Sequence, residues 1–421
     1  MRVYFYTFGC KSNQYETNQL IEKFAALGFA QIDTPQDADI IVVNTCSVTH
    51  IAERKARNII RKFITQNPSA KLYVCGCYVN IAEFSQIIPT AIPIKQEIKL
   101  EPEKWRVMNS ILSASQCLAP ARHPSPANAG APLGKGSQLK EYRIREFLKI
   151  QEGCDCFCSY CIIPYARPIM SSEPPEKILA EAEKLLQHGV REIILTGINL
   201  GRYSYENKTL IDILHLLKDT PRLRLSSIEP DRVTPELLAA INSNPRIARH
   251  LHIPLQSGSD KILKAMNRKY TTDDFRKLIV AVRKPLGENI GLTTDIIVGF
   301  PGETKETFQK TYEFIQEMNF SDLHIFPYSP RPLTAAADLK QTCSDKDQKQ
   351  FINKLEKLRQ KLKKDFWQKQ TTLNVLAENE CGGFSSEYVP VKFTEKVESG
   401  KFYTAIPLEI KEDTILAQPA Y

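Results

Sequence analysis

Hydrophobic and polar positions in the first hundred residues alternate between two periods. Val3–Phe8 and Ile40–Asn44 are apolar runs of strand length, and a third run begins at Leu72–Val74. Between them, Leu20, Phe24 and Leu27 recur at helical spacing within Tyr15–Leu27. In Ile51–Ile64, Ala56, Ile59, Ile60 and Phe63 share one face, and Arg54, Lys55, Arg57, Arg61 and Lys62 take the other. Strand–helix–strand–helix–strand calls for parallel pairing through right-handed crossovers. The pattern predicts an open parallel α/β domain over residues 1–112.

The periodicity then stops. Of the 25 residues Ser113–Ser137, 17 are Ala, Pro, Gly or Ser, too little apolar surface to offset the entropy of ordering. A flexible linker is expected over residues 113–141. From Phe147 the alternation resumes. Strands are predicted at Phe147–Gln151, Glu192–Thr196, Leu223–Ile228, Leu251–Leu255, Leu292–Val298 and Leu323–Pro327. Helices are predicted between them at Pro175–Gln187, Leu210–Lys218, Pro235–Ile241, Thr272–Arg283 and Lys305–Met318. Six β/α units do not close an eight-stranded barrel, so residues 142–344 are expected to form a partial (β/α)6, TIM-like barrel.

Residues 345–370 follow as one basic helix. Phe351, Leu355, Leu358, Leu362 and Phe366 form its apolar stripe, and nine Lys/Arg stand against four Asp/Glu. A packing helix with a solvated face is the better reading. Residues 371–421 change to short β runs, Leu373–Ala377, Tyr388–Phe393, Phe402–Ile406 and Thr414–Ala417, as in a small OB-like all-β barrel. The fold class is α/β with this all-β addition.

Composition narrows the function. The 421 residues are 42% hydrophobic and 25% charged, as in globular chains of two to three domains. No apolar run nears the roughly 18 residues of a membrane span, and no secretory signal opens the chain, so a soluble cytoplasmic protein is expected. The net charge of +8 suits a nucleic-acid partner without requiring one. The 11 cysteines are odd in number, which argues against a disulfide framework and for metal binding or chemistry.

Cys154, Cys158 and Cys161 are spaced C-x3-C-x2-C in the loop after the first barrel strand. Three thiolates on one loop can hold three corners of a [4Fe–4S] cubane and leave its fourth iron open. Zinc is the alternative, with Cys156 as fourth thiolate. Cys10, Cys46 and Cys77 share no short motif, but each lies just past a predicted parallel strand. Adjacent strand ends meet at the crevice edge of an open sheet, so the three can converge. Cys75 competes with Cys77, but the alternation keeps Cys75 inside the strand. Cys117, Cys343 and Cys381 stand alone.

The three-cysteine loop at a barrel mouth resembles the radical S-adenosylmethionine superfamily. Thr7-Phe8-Gly9-Cys10-Lys11-Ser12-Asn13, Asn44-Thr45-Cys46-Ser47-Val48-Thr49 and Gly76-Cys77-Tyr78 are similar to the N-terminal domain of the methylthiotransferases. Gly153-Cys154 through Tyr165-Ala166-Arg167 resembles their radical motif, and the C-terminal barrel their RNA-binding TRAM domain. Lys11, Ser47-Val48-Thr49, Tyr78 and Ile162-Ile163-Pro164-Tyr165-Ala166-Arg167 look like the threonylcarbamoyladenosine tRNA branch. Family members usually continue Ala-Arg-Gly and an arginine pair expected at RNA phosphate. Here Pro168-Ile169-Met170-Ser171-Ser172-Glu173 follows Arg167.

The resemblance implies two [4Fe–4S] clusters, on Cys10/Cys46/Cys77 and on Cys154/Cys158/Cys161, and two molecules of S-adenosylmethionine. One gives its methyl group to sulfur held at the first cluster. The other is cleaved to a 5′-deoxyadenosyl radical that activates C2 of an adenine for the methylthio group. By strand-end position, Thr196 and Gly197 would meet the cofactor's methionine part, Ser226 and Glu229 its ribose, and Tyr160 its adenine. Gln256 and Asp295 face the same mouth. His250 and His252 read better as a packed pair than as ligands, and Gly299–Glu303 is as well explained by a structural turn.

The implied partners are a tRNA anticodon stem-loop, an electron donor such as a flavodoxin or ferredoxin, and a sulfur source, with no membrane. Phe384, Tyr388, Phe393, Phe402 and Tyr403 with Lys392, Lys396, Lys401 and Lys411 are the RNA candidates, though most of the aromatics suit a barrel core. Two other readings stand beside this one. The chain could modify isopentenyladenosine or a ribosomal protein, or it could be a non-catalytic, zinc-stabilised RNA-binding protein.

Overall fold

The computed structural model describes residues 1–81, 91–93 and 142–420. The expected linker at 113–141, the end of the first domain and Cys117 lie outside them. The chain divides into two compact units. One comprises Met1–Glu141 with Tyr165–Ile169, and the other Tyr142–Pro164 with Met170–Tyr421.

The first unit is a parallel sheet of β1 (Arg2–Thr7), β2 (Ala30–Gln31), β3 (Ile40–Thr45), β4 (Lys71–Gly76) and β5 (Ile92–Pro93), ordered β2-β1-β3-β4-β5. Helices α1 (Lys11–Ala26) and α2 (His50–Gln66) are the crossovers, and α3 (Cys77–Ile81) leaves β4 directly. Ile41, Val43, Ile60, Phe63, Leu72 and Val74 form the core on one face, and Val3, Phe24, Ile40, Val42 and Tyr73 the core on the other. With both faces covered, β3 is buried at every position, as continuous apolar runs in parallel sheets are. Helix α1 begins four residues earlier than its apolar stripe predicts. Its first turn buries Ser12 and Asn13, polar residues that a hydrophobic period cannot register.

In the second unit β6 (Arg145–Glu152) leads by α4 (Ile163–Ala166) to β7 (Ser171–Ser172), and α5 (Pro175–Gln187) leads to β8 (Glu192–Gly197). A hairpin of β9 (Ser204–Tyr205) and β10 (Lys208–Thr209) precedes α6 (Leu210–Leu216) and β11 (Arg222–Leu225). Helix α7 (Pro235–Ser243), β12 (His250–His252), α8 (Asp260–Ala265), α9 (Thr272–Leu286), β13 (Gly291–Val298), α10 (Lys305–Met318) and β14 (Asp322–Pro327) complete it. The sheets β11-β8-β6-β7 and β12-β13-β14 are joined by single bridges, Leu223 to Ile247 and Ser227 to His252. Six parallel strands thus follow in sequence order around an open barrel. Strands β11 and β12 stop at Leu225 and His252, short of the expected Ile228 and Leu255. Pro254 has no amide hydrogen to extend a ladder.

The barrel floor is charged. Glu192 is fully buried and meets Arg145 at 2.9 Å, Arg224 at 2.8 Å and Arg222 at 3.4 Å. Burial alone would push its carboxyl up, but the charges of Arg224, Arg145 and Arg222 outweigh it and hold the group at about 2. Below this floor, β15 (Leu373–Asn379), β16 (Gly382–Ser385), β17 (Pro390–Phe393), β18 (Phe402–Ile410) and β19 (Ile415–Ala420) close a second barrel. Strand β16 has no sequence signal because it opens on two glycines. A Cβ on Gly383 would stand 1.9 Å from the Leu376 carbonyl oxygen, so the close approach excludes any other residue.

The basic helix α11 (Asp345–Gln368) ties both parts together. Phe351 stacks on Phe308 of α10 at 3.9 Å, and Phe366 and Trp367 enter the small barrel's core. It is a packing helix, for the apolar stripe is buried throughout. No helix among the described residues is long and apolar enough to cross a membrane.

Candidate functional site

In the first unit the ends of β1, β3 and β4 bring Cys10, Cys46 and Cys77 together. The charges of Cys10 and Cys46 bear on Cys77, and that of Cys10 on Cys46. Two left-handed glycines permit this. A Cβ on Gly9, at φ +90°, would stand 2.8 Å from Cys46 Sγ. One on Gly76, at φ +92°, would stand 2.3 Å from the Thr45 carbonyl oxygen. Both positions require a residue without a side chain. Cys75 instead packs with the Val3, Phe24 and Tyr73 core.

Buried polar groups fix the strand ends. Asn13 is fully buried, and its Nδ2 donates to the carbonyls of Phe8 at 2.9 Å and Thr45 at 3.0 Å. The Asn13 Oδ1 accepts from Arg167 Nη2 at 2.9 Å and lies 3.7 Å from Cys10 Sγ. Asn44 Nδ2 donates to the Asn13 carbonyl at 3.0 Å, and Thr49 caps α2 by accepting from the Ala52 amide at 3.1 Å. Arg167 Nε donates to Cys77 Sγ at 3.2 Å, so this arginine is turned inward and cannot serve an RNA phosphate. Burial pushes the Cys46 thiol up, and pushes Cys77 up to about 11 against the opposing charge of Arg167. A metal or cluster binding there must displace protons.

In the second unit, Cys154, Cys158 and Cys161 occupy the loop after β6. The loop is pinned at Ser159, whose amide donates to Met266 O at 3.0 Å and whose hydroxyl donates to Ala265 O at 2.8 Å. The Cys161 amide donates to Cys158 O at 2.9 Å. Arg268 Nη1 donates to Cys158 Sγ at 3.2 Å, while Nη2 pairs with Glu229. Burial pushes Cys158 up and Cys161 up to about 12, whereas hydrogen bonding with Cys156 lowers Cys154.

Among the described residues, Cys154, Asp155 and Cys156 have ligand atoms within 4.8 Å of one another, and Cys158 and Cys161 stand outside that set. A single zinc ion needs all four ligands about 2 Å from one centre, so this is not a gathered four-cysteine zinc site. A cubane spreads its three thiolates further apart than one zinc ion does. Two buried polar atoms, one on Asn199 beside the loop and one on Ser226 just past β11, are open to a bound polar cofactor. Ser226 Oγ and Asn199 Oδ1 have no hydrogen-bond partner among the described residues. Asn199 Nδ2 points at Cys156 Sγ at 3.4 Å.

The other expected contacts are distributed around this mouth. Thr196 and Gly197 end β8, and a Cβ on Gly197 would stand 2.9 Å from Gln151 Cβ. Gln256, at φ +69°, donates its amide to Asp295 O at 2.8 Å. Tyr160 is half-buried beside Phe300, their rings 6.5 Å apart. Glu229 and Asp295 are already engaged by protein partners. Glu229 takes Arg268, and Asp295 Oδ1 lies 3.2 Å from His252 Nε2 and 3.1 Å from His324 Nδ1. His250 packs between Thr293 and the Tyr388 ring, as a packed residue should. In the Gly299–Glu303 turn the Glu303 carboxylate accepts from the Gly299 amide, and burial pushes it up to about 7.

Sequence reasoning missed Arg268, His324 and Asn13. Asn13 stands in the segment around Cys10 without a role of its own there, and Arg268 and His324 sit in no period or cysteine motif; only the neighbours of all three reveal what they do. The RNA candidates are also redistributed. Phe393 and Tyr403 are core, and Phe384, Tyr388 and Phe402 lie under Arg145, Arg224 and Arg222 of the floor at 4.7–5.4 Å.

Comparison with known proteins agrees with this layout. Residues 148–315 match the radical SAM superfamily, and residues 2–92 match the uncharacterized protein family UPF0004. The chain is 37% identical to threonylcarbamoyladenosine tRNA methylthiotransferase MtaB of Bacillus subtilis, covering 86% of this chain and 81% of that one. It is 34% identical to the Aquifex aeolicus protein of the same name, covering 95% and 98%. It is also 33% identical to tRNA-2-methylthio-N(6)-dimethylallyladenosine synthase of Endomicrobium trichonymphae, covering 79% and 78%. In fold it is similar to the radical S-adenosylmethionine methyltransferase TsrM of Kitasatospora setae, with a TM-score of 0.58 at 14% identity over 80% of this chain and 74% of that one. Relatives this similar over most of their length, together with the radical segment, place the chain in the radical S-adenosylmethionine methylthiotransferase family of enzymes.

Proposed function

We propose that this enzyme adds a methylthio group to C2 of N6-threonylcarbamoyladenosine, next to the anticodon of tRNA. The family works with an iron–sulfur cluster and S-adenosylmethionine. The reading assigns two [4Fe–4S] clusters, one to Cys10, Cys46 and Cys77 and one to Cys154, Cys158 and Cys161, and it uses two molecules of S-adenosylmethionine. When bound, these groups supply the one-electron and sulfur chemistry that no side chain offers. The observation that carries the reading is the second set of cysteines. Three cysteines from three strand ends converge in a unit separate from the radical loop, as sulfur transfer beyond radical formation requires.

The chain's own residues hold and orient. Ser159 anchors the radical loop, and Arg268 donates to the Cys158 sulfur and presents Glu229 to the mouth. Ser226 and Asn199 offer buried polar atoms to a cofactor. The remaining partners are an electron donor of the flavodoxin or ferredoxin type and a sulfur source. The threonylcarbamoyl branch is favoured because the relatives at 34–37% identity carry that name, against 32–33% for those named for dimethylallyladenosine.

Mass spectrometry of tRNA nucleosides from cells with and without the protein tests the reading. Loss of the methylthio group from threonylcarbamoyladenosine supports it. Loss from isopentenyladenosine instead moves the enzyme to the other tRNA branch. Unchanged tRNA with a changed ribosomal protein removes RNA as the substrate. A colourless, zinc-containing protein after anaerobic purification would overturn both clusters.

A further inference from the structure

Arg167 closes the radical motif in sequence but belongs to the first unit, with Tyr165–Ile169. Its side chain is 1% exposed. A buried arginine needs partners for its charge and its five N–H groups. Glu16 of α1 takes Nη1 at 2.7 Å and Nη2 at 3.1 Å. Asn13 takes Nη2 at 2.9 Å, and Cys77 Sγ takes Nε at 3.2 Å. The fork therefore has one edge on a carboxylate and another on a sulfur of the three-cysteine set. Through the Asn13 oxygen it also reaches towards Cys10.

A salt bridge that merely clamped the segment would need Glu16 alone. The Nε–sulfur contact has a separate consequence. Hydrogen bonds to ligand sulfurs and nearby charge set the potential of an iron–sulfur group. A guanidinium holds its donors in a rigid planar fork that reaches three separated acceptors, a geometry that an ammonium's three donors on one nitrogen do not reproduce. We propose that Arg167 is a positioning residue of the N-terminal centre: it orients Cys77, donates to its thiolate, and raises the reduction potential of the iron–sulfur group bound there. This rests on reading Cys10, Cys46 and Cys77 as cluster ligands.

The test uses the full chain with Cys154, Cys158 and Cys161 all changed to Ala, reconstituted anaerobically with iron and sulfide. Iron per chain and the midpoint potential of the remaining cluster are measured by redox titration. Arg167→Gln removes a positive charge and should lower the potential and reduce retained iron several-fold. Arg167→Lys keeps the charge but not the fork, and should fall between Gln and the parent. Glu16→Gln breaks the same salt bridge from its other side, but removes a negative charge, and should raise the potential.

Opposite shifts in Arg167→Gln and Glu16→Gln carry the proposal, because loosened packing would move both alike. Shifts of the same sign, or an unchanged potential in Arg167→Gln, overturn it. A triple-Ala parent without iron overturns the two-cluster reading itself, and the inference with it.

Discussion

The two cysteine centres of this enzyme are built in opposite ways. Cys154, Cys158 and Cys161 lie within eight residues on one loop, which needs only to be anchored, at Ser159 and Arg268. Cys10, Cys46 and Cys77 are separated by 36 and 31 residues and meet only because three parallel strands end in register. The first centre depends on one local conformation. The second depends on the sheet, on two left-handed glycines and on a buried polar scaffold around Asn13. The contrast says where each can be broken.

The largest effect is expected at the barrel floor of the second unit. Glu192→Ala leaves Arg145, Arg222 and Arg224 buried without their shared anion, and breaking such a set costs about 3–5 kcal/mol. The unit carrying the radical loop should unfold early in a calorimetric scan, while iron at the N-terminal centre persists. If both centres lose iron together, they are not independently supported. The same floor gives a pH test. With the folded carboxyl at about 2 and the unfolded one near 4.5, the network's contribution is complete above 4.5. It is lost as pH falls from 4.5 towards 2, by about 3 kcal/mol. Thermal melts from pH 6 downwards should show that loss in wild type and a flatter profile in Glu192→Ala.

Gly76→Ala comes next. Left-handed strain costs about 1–3 kcal/mol, and the Cβ meets backbone that cannot give. The variant should lose about half its iron yet still cleave S-adenosylmethionine reductively to 5′-deoxyadenosine. Full iron content would show that the strand ends need not be this close.

Asn13→Ala should cost about 1–3 kcal/mol by stranding the Phe8 and Thr45 carbonyls and an Arg167 donor. The readout is slower methylthio transfer at unchanged 5′-deoxyadenosine yield. The smallest effect is expected at Ser159→Ala, about 1 kcal/mol for one hydroxyl bond, since the Ser159 amide still holds the loop to Met266. It should slow cofactor cleavage slightly. A large loss of iron there would show that the local loop is as fragile as the strand-end centre.

The sequence by itself determined the order of elements. Apolar runs, helical stripes and the C-x3-C-x2-C spacing are local signals, and they mark the parallel sheet, the six β/α units and the radical loop within a few residues. They also bring Cys10, Cys46 and Cys77 to strand ends, because a parallel sheet aligns its C-terminal edges. Only the tertiary structure decided what surrounds them. It turned Arg167 from the radical motif onto Cys77, and put Phe384, Tyr388 and Phe402 under arginines of the floor. It paired Asp295 with two histidines from neighbouring strands. It also hid β16 behind two glycines whose place only the Leu376 carbonyl explains. In all four the partner that fixes the position comes from residues distant in sequence. For Arg167, Asp295 and the β16 glycines, moreover, a polar or glycine position carries no periodic hydrophobic signal.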